Sequence, residues 1–176
     1  MGDLLVVTGP PGAGKSTVAA ILSAGFPHSA LVPGDDFFRF LGQGFIEPWL
    51  SEAHVQNEIV TEAAAAAAGR YARGDYTVIY DGMVGPWLLP SFARAAAVPV
   101  LHYAILFPDE ATCVNRVLSR TGHGFTDVPA TRDMFGQFAR APIDARHVLT
   151  DPPDDPQRTA ELIRARFEAG TLRVRG

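Results

Sequence analysis

Apolar positions in this chain fall in short unbroken runs, separated by longer stretches of mixed polarity. Leu4-Leu5-Val6-Val7-Thr8 is the first run and reads as a strand buried on both faces. Residues 29–33 (Ser-Ala-Leu-Val-Pro) predict a second, short strand. The β-branched and aromatic stretch Tyr76-Thr77-Val78-Ile79-Tyr80 predicts a third. Val100 to Phe107 is apolar at nearly every position, so a fourth strand is expected at the centre of a sheet. His147-Val148-Leu149 predicts a fifth.

The intervening segments carry helical spacing. Helices are expected from Ser16 to about Leu22, from Ser51 to Arg73, within 86–97, from Pro108-Asp109-Glu110 onward, from Thr131 to Arg140 and from Pro156 to Ala169. Ser51 is the expected N-cap of the second, with Glu52 in its first turn and high helix propensity in alanines 63–68. Gly74-Asp75 predicts a turn, and residues 121–130 have the composition of a loop. Strands that alternate with helices imply a parallel sheet covered by helices on both faces, an α/β fold. The absence of internal repeats and of long linkers makes residues 1–176 one expected domain.

One segment changes the picture from architecture to chemistry. Gly9-Pro10-Pro11-Gly12-Ala13-Gly14-Lys15-Ser16, followed by Thr17, fits G-x-x-x-x-G-K-[ST] in full. It lies between a predicted strand and a predicted helix, the context the motif requires. Glycines there let successive backbone N–H groups turn into one concave anion nest, and the helix dipole adds positive potential at the same point. Lys15 is expected to reach the β- and γ-phosphates of a nucleotide and the Ser16 hydroxyl to ligate Mg²⁺.

Composition narrows the partners. A formal charge of −4, from 15 basic and 19 acidic residues, argues against a bulk nucleic-acid partner. No window approaches the ~18 consecutive apolar residues of a membrane span. Residues 1–8 lack a basic leader region, so no signal peptide is expected. The single cysteine, Cys113, excludes an intrachain disulfide framework, fits a cytoplasmic setting and reads as a packed thiol. His28, His102, His123 and His147 show no metal-ligand spacing and read as surface or satisfied core residues.

In open α/β sheets, chemistry gathers at the carboxyl ends of the strands. Asp35 and Asp36 follow the second predicted strand, and Asp81 follows the third. One of the first two can accept the proton of an acceptor hydroxyl while the other caps the next helix or sits near the Mg²⁺ waters. Asp81, at the end of an apolar strand, resembles a Walker B acid that would help hold the metal and border the acceptor. Arg116 and Arg120 lie four apart, so both can reach one ligand. Arg120 would clamp the transferring phosphoryl group and Arg116 lay its guanidinium on the adenine. Arg39 can hold an acceptor or simply pair with Asp36. Phe37, Phe38, Phe40, Phe45, Trp49 and Trp87 supply aromatic character to the expected acceptor pocket; Glu47, His54, Gln56 and Asn57 supply polar contacts.

Together these residues resemble the small P-loop kinases of the nucleoside-monophosphate-kinase type. Similar groups are the chloramphenicol phosphotransferase-like proteins, the gluconate and shikimate kinases and the kinase domain of phage polynucleotide kinase. The resemblance covers nearly the whole chain in order. It implies a three-layer α/β/α fold with strand order 2-3-1-4-5. It implies ATP and Mg²⁺ as cofactors, and transfer of a γ-phosphate to a hydroxyl of a small molecule; separately, a monomer or homodimer is expected. In the family, an Asp in a short segment after the second strand is the base, which here means Gly34-Asp35-Asp36; one branch's pattern selects Asp35, another's Asp36. The family's R-x-x-x-R at the lid falls on Arg116 and Arg120, and its adenine-contacting loop on Thr150-Asp151-Pro152-Pro153. Residues 37–73 would then close over the acceptor and 121–130 over ATP. Polynucleotide 5′-hydroxyl kinase activity and a nucleotide-binding regulatory ATPase without an acceptor are the alternatives. Neither 42–50 nor 83–87 fits a known acceptor signature.

Overall fold

The computed structural model describes residues 1–119, 125–150 and 152–174. Five parallel strands, β1 (Leu4–Thr8), β2 (Ser29–Pro33), β3 (Thr77–Asp81), β4 (Leu101–Phe107) and β5 (Val148–Thr150), form one sheet in the order β2-β3-β1-β4-β5. Seven α-helices are described: α1 (Lys15–Ala24), α2 (Asp35–Phe38), α3 (His54–Ala72), α4 (Leu89–Ala96), α5 (Glu110–Ser119), α6 (Val128–Arg140) and α7 (Pro156–Glu168). The expected α/β architecture and strand order are those observed.

Side-chain alternation along β1 divides the core in two. Leu4 and Val6 face a layer containing alanines of α3 and Phe92 of α4, whereas Leu5 and Val7 face Val18 and Leu22 of α1 and Ile163 of α7. These four apolar side chains of β1 are fully buried, each contributing about 1.5–3 kcal/mol by leaving water. The alanine run of α3 has a packing reason as well as a propensity one. Ala64, Ala65, Ala68 and Ala72 are buried, and a Cβ on Gly69 would overlap the Ala96 carbonyl of α4. Small side chains thus let α3 and α4 approach closely, and Arg73 donates from Nη1 to the carbonyls of Ala96 (2.6 Å) and Ala97 (3.1 Å) at the end of α4.

Several boundaries differ from expectation. Ser51 does not cap α3: residues Ser51–Ala53 form a 3-10 turn, the Ser51 hydroxyl donates to Glu52, and α3 starts at His54 without a side-chain cap. Helix α6 begins at Val128, three residues before the expected start, because the Asp127 carboxylate accepts the Ala130 N–H and Pro129 fits the first turn. Residues 128–130 of the expected loop are therefore helical. His147 belongs to a 3-10 turn and β5 starts one residue later. Cys113 is buried, as expected of a packed thiol. His147 is a satisfied core residue, its Nδ1 3.0 Å from the Tyr103 carbonyl. His102, 2 % exposed, is a core residue whose Nδ1 has no partner, against expectation.

Candidate functional site

The loop after β1 is shaped by close backbone approaches. Gly9, Gly12 and Gly14 have φ values of 144°, 81° and 93°. A Cβ on Gly9 would overlap the Leu106 carbonyl of β4, and one on Gly12 the Cys113 carbonyl of α5. Only glycine tolerates both the positive φ and the contact. Gly14 is the N-cap of α1 and has no side chain to cap the amides of the first helical turn. The Lys15 ammonium arches back over the loop and donates to the carbonyls of Gly9 (3.0 Å) and Pro10 (3.1 Å). A cradle of amides with a lysine folded across it and a serine hydroxyl next to it suits a polyphosphate with its magnesium ion.

This loop stands between two cavities. On one side, a cavity of about 480 Å³ is bordered by Gly12, Ala13, Gly14, Thr17, Arg116 and the 152–154 turn. Arg116 spans its mouth: Nη2 lies 3.8 Å from Asp154 Oδ1, and Nη1 would lie 3.8 Å from a Cβ on Gly14. Pro152 lines it too, while Asp151 and Arg120, the expected partners there, lie outside the described residues.

On the other side, a cavity of about 730 Å³ is lined by Pro11, Lys15 and Ser16 of the loop and by Asp35. Glu47, Trp49, His54, Asn57 and Trp87, all expected at an acceptor, line it. Asp35 and Asp36 separate. Both lie in the single turn of α2 and neither caps it, since Gly34 is the N-cap. Asp35 borders the cavity, whereas Asp36 pairs with Arg39 at 3.2 Å, and neither of these two is among its described lining residues. Arg39 thus forms the ion pair with Asp36 that was one of its two expected roles. Asp81 ends β3 in register with Val7 of β1, and its carbonyl accepts the Gly34 N–H at 2.6 Å. It too is absent from the described lining. Phe37 is partly buried against the core, and Phe40 is exposed outside the cavity.

Residues 42–50 are fastened to α3 by two neighbouring amides. Gln56 accepts the Ile46 N–H (2.8 Å) and donates to the Ile46 carbonyl (2.6 Å), and Asn57 donates to the Pro48 carbonyl (2.7 Å). Asn57 is left with a buried Oδ1 that has no protein partner. Residues 82–87 are pinned at Val84, whose N–H donates to Thr8 Oγ1 (2.9 Å) and whose carbonyl accepts the Tyr103 hydroxyl (2.6 Å).

The strand and helix pattern did not single out Tyr80, Thr61, Asp133, Met134, Gln137 or Phe125 as lining residues, yet all border this cavity. Tyr80 faces the α3 layer with Val78, which strand alternation foretells; that the layer opens on the cavity is a tertiary matter. Burial first, then the charges of Asp35 and Asp81, pushes its hydroxyl pKa well above the usual tyrosine range, so it stays a neutral donor. A Cβ on Gly34 would overlap that hydroxyl, so glycine there lets α2 start flush against Tyr80. Met134 and Gln137 are three apart on α6 and share one face.

A strand order of 2-3-1-4-5 with a glycine cradle before α1 is the architecture of P-loop kinases. The chain belongs to the AAA domain family, whose model matches residues 4–141. None of the curated proteins compared with it matches. Its fold is shared with the tunicamycin resistance protein of Deinococcus radiodurans, at 18% identity and a TM-score of 0.68 over 95% of this chain and 96% of that one. A gluconokinase of Sinorhizobium meliloti is similar at 18% identity and 0.64, over 96% and 94% of the two chains. The APS kinase of Mycobacterium tuberculosis, solved with AMPPNP and APS, is similar at 16% identity and 0.65, over 95% and 98%. No described helix is long and apolar enough to cross a membrane.

Proposed function

We propose that this protein is an ATP-dependent phosphotransferase that moves the γ-phosphate of ATP to a hydroxyl group of a small molecule. The observation that carries this reading is the position of the Gly9–Ser16 loop between two cavities, with Asp35 lining the larger one together with Lys15 and Ser16. The smaller cavity suits the nucleoside, the loop amides the phosphates and the larger cavity the acceptor. The kinase names of neighbours that share the fold support it.

In the reaction, the acceptor oxygen attacks the γ-phosphorus as its proton passes to the Asp35 carboxylate. The bond from phosphorus to the β–γ bridging oxygen breaks, and ADP leaves. Lys15 follows the charge on the moving phosphoryl group, and Arg116 holds the nucleoside end. Ser16 is the residue that would ligate Mg²⁺, which when bound neutralises phosphate charge. Arg120 and Asp81 remain candidates for phosphoryl clamp and metal-side acid.

Calorimetry with ATP and magnesium, followed by a coupled ADP-release assay over a panel of alcohols, tests the proposal. Nucleotide binding that Lys15→Ala weakens, with ADP release stimulated by an alcohol, is the expected result. No nucleotide affinity would overturn it. End-labelling of an oligonucleotide without transfer to any small alcohol would replace it by 5′-hydroxyl kinase activity.

A further inference from the structure

The larger cavity has a charge and surface character that the reaction itself does not require. Beyond Asp35, it carries two more carboxylates, Glu47 from the 42–50 segment and Asp133 from α6. Among the described lining residues, Lys15 is the only lysine or arginine, and its ammonium bonds to the phosphate loop. Arg39, the nearest sequence candidate for an anion contact, is turned to Asp36. By charge, the described lining thus favours a cationic ligand over an anionic one, although one oxygen of Asp133 already accepts the Gln137 amide at 2.8 Å.

The apolar inventory is equally specific. Trp49, Trp87 and Phe125 line the cavity, and Trp49 meets Phe125 edge-on with centroids 5.0 Å apart. A cavity lined by both aromatic rings and carboxylates can recognise an ammonium group twice, through ion pairing and through the ring quadrupole. A volume of about 730 Å³ lies within the ~300–1,000 Å³ range of drug-sized ligand sites.

Resting on the phosphotransferase reading, we infer that the acceptor is an amine-bearing alcohol with an apolar body. Its ammonium lies with Glu47 and Asp133, its apolar part against Trp49 and Trp87, and its hydroxyl at Asp35. Anionic acceptors are disfavoured by the same carboxylates.

Both tryptophans of the chain line this cavity, so intrinsic fluorescence reports its occupancy. Three probes with one phenyl ring and one hydroxyl differ in charge: phenylalaninol (cationic), N-acetylphenylalaninol (neutral) and 3-phenyllactate (anionic). With a nonhydrolysable ATP analogue present, phenylalaninol is expected to bind at least about tenfold more tightly than either of the others. In the double variant Glu47→Gln, Asp133→Asn that preference should fall to near parity, with binding of the ATP analogue unchanged by calorimetry. Equal binding of the three probes, tighter binding of 3-phenyllactate, no response to phenylalaninol, or a preference that survives the double variant each overturns the inference. Any of these with intact nucleotide affinity leaves the phosphotransferase reading standing; loss of nucleotide affinity in the unaltered protein would remove both.

Discussion

Trp49 packs edge-on against Phe125, with ring centroids 5.0 Å apart and planes at 61°. The two residues are 76 positions apart in sequence, one in the segment fastened to α3 and the other just before α6. Both border the larger cavity, so this contact joins two of its walls. Trp49→Ala removes an aromatic wall and an aromatic pair worth about 0.5–1.5 kcal/mol. The expected outcome is a rise of about tenfold or more in acceptor KM with nucleotide affinity unchanged, measured by steady-state kinetics and calorimetry. Phe125→Ala should act in the same direction.

Asp35 and Asp36 should separate in a mutational test as they do in space. Asp35→Asn is expected to lower kcat by about 10²–10⁴-fold while ATP binding persists, as for loss of a general base. Asp36→Asn removes only an exposed ion pair with Arg39, worth about 0–1 kcal/mol, and should leave kcat within a few-fold. Full activity in the Asp35 variant would require another base.

Gln56 satisfies both backbone polar groups of Ile46. Replacing it with alanine leaves them partly buried without these partners, at a cost of about 1–3 kcal/mol. Gln56→Ala should lower the Tm by several degrees and raise acceptor KM more than it lowers kcat, because residues 42–50 carry Glu47 and Trp49. A thermal-unfolding series with kinetics at varied acceptor checks both effects.

Burial holds the imidazoles of His102 and His147 below the usual histidine pKa. At His102 the Asp3 carboxylate, 3.8 Å away, partly opposes this, and Arg173 reinforces it. Both rings are therefore favoured neutral in the folded protein, whereas the unfolded chain takes up protons near pH 6.5. The unfolded state binds more protons below that pH, so stability is fully present above about 6.5 and is lost progressively as the pH falls from there toward the lowered folded values. Tm should drop between pH 7 and 5, and His102→Gln should flatten part of the slope. An unchanged slope would assign the acid sensitivity to other groups.

The sequence by itself determined the five strands, the helices between them, the sheet order through its resemblance, and the phosphate cradle. These are local or periodic features: an apolar run, a glycine loop at a strand end, a helix that follows. It could not divide Asp35 from Asp36, because adjacent residues share every local signal, and the difference arises only where α2 turns against Tyr80 at the cavity mouth. Nor could it set Arg39 in an ion pair or α6 in the cavity wall, since Asp133, Met134 and Gln137 show only which helix face they share. The larger cavity is assembled from five separated stretches of chain, and its composition exists only once packing brings them together. Strand and loop chemistry act between near neighbours in sequence; a pocket acts between near neighbours in space, and the tertiary structure alone decides those.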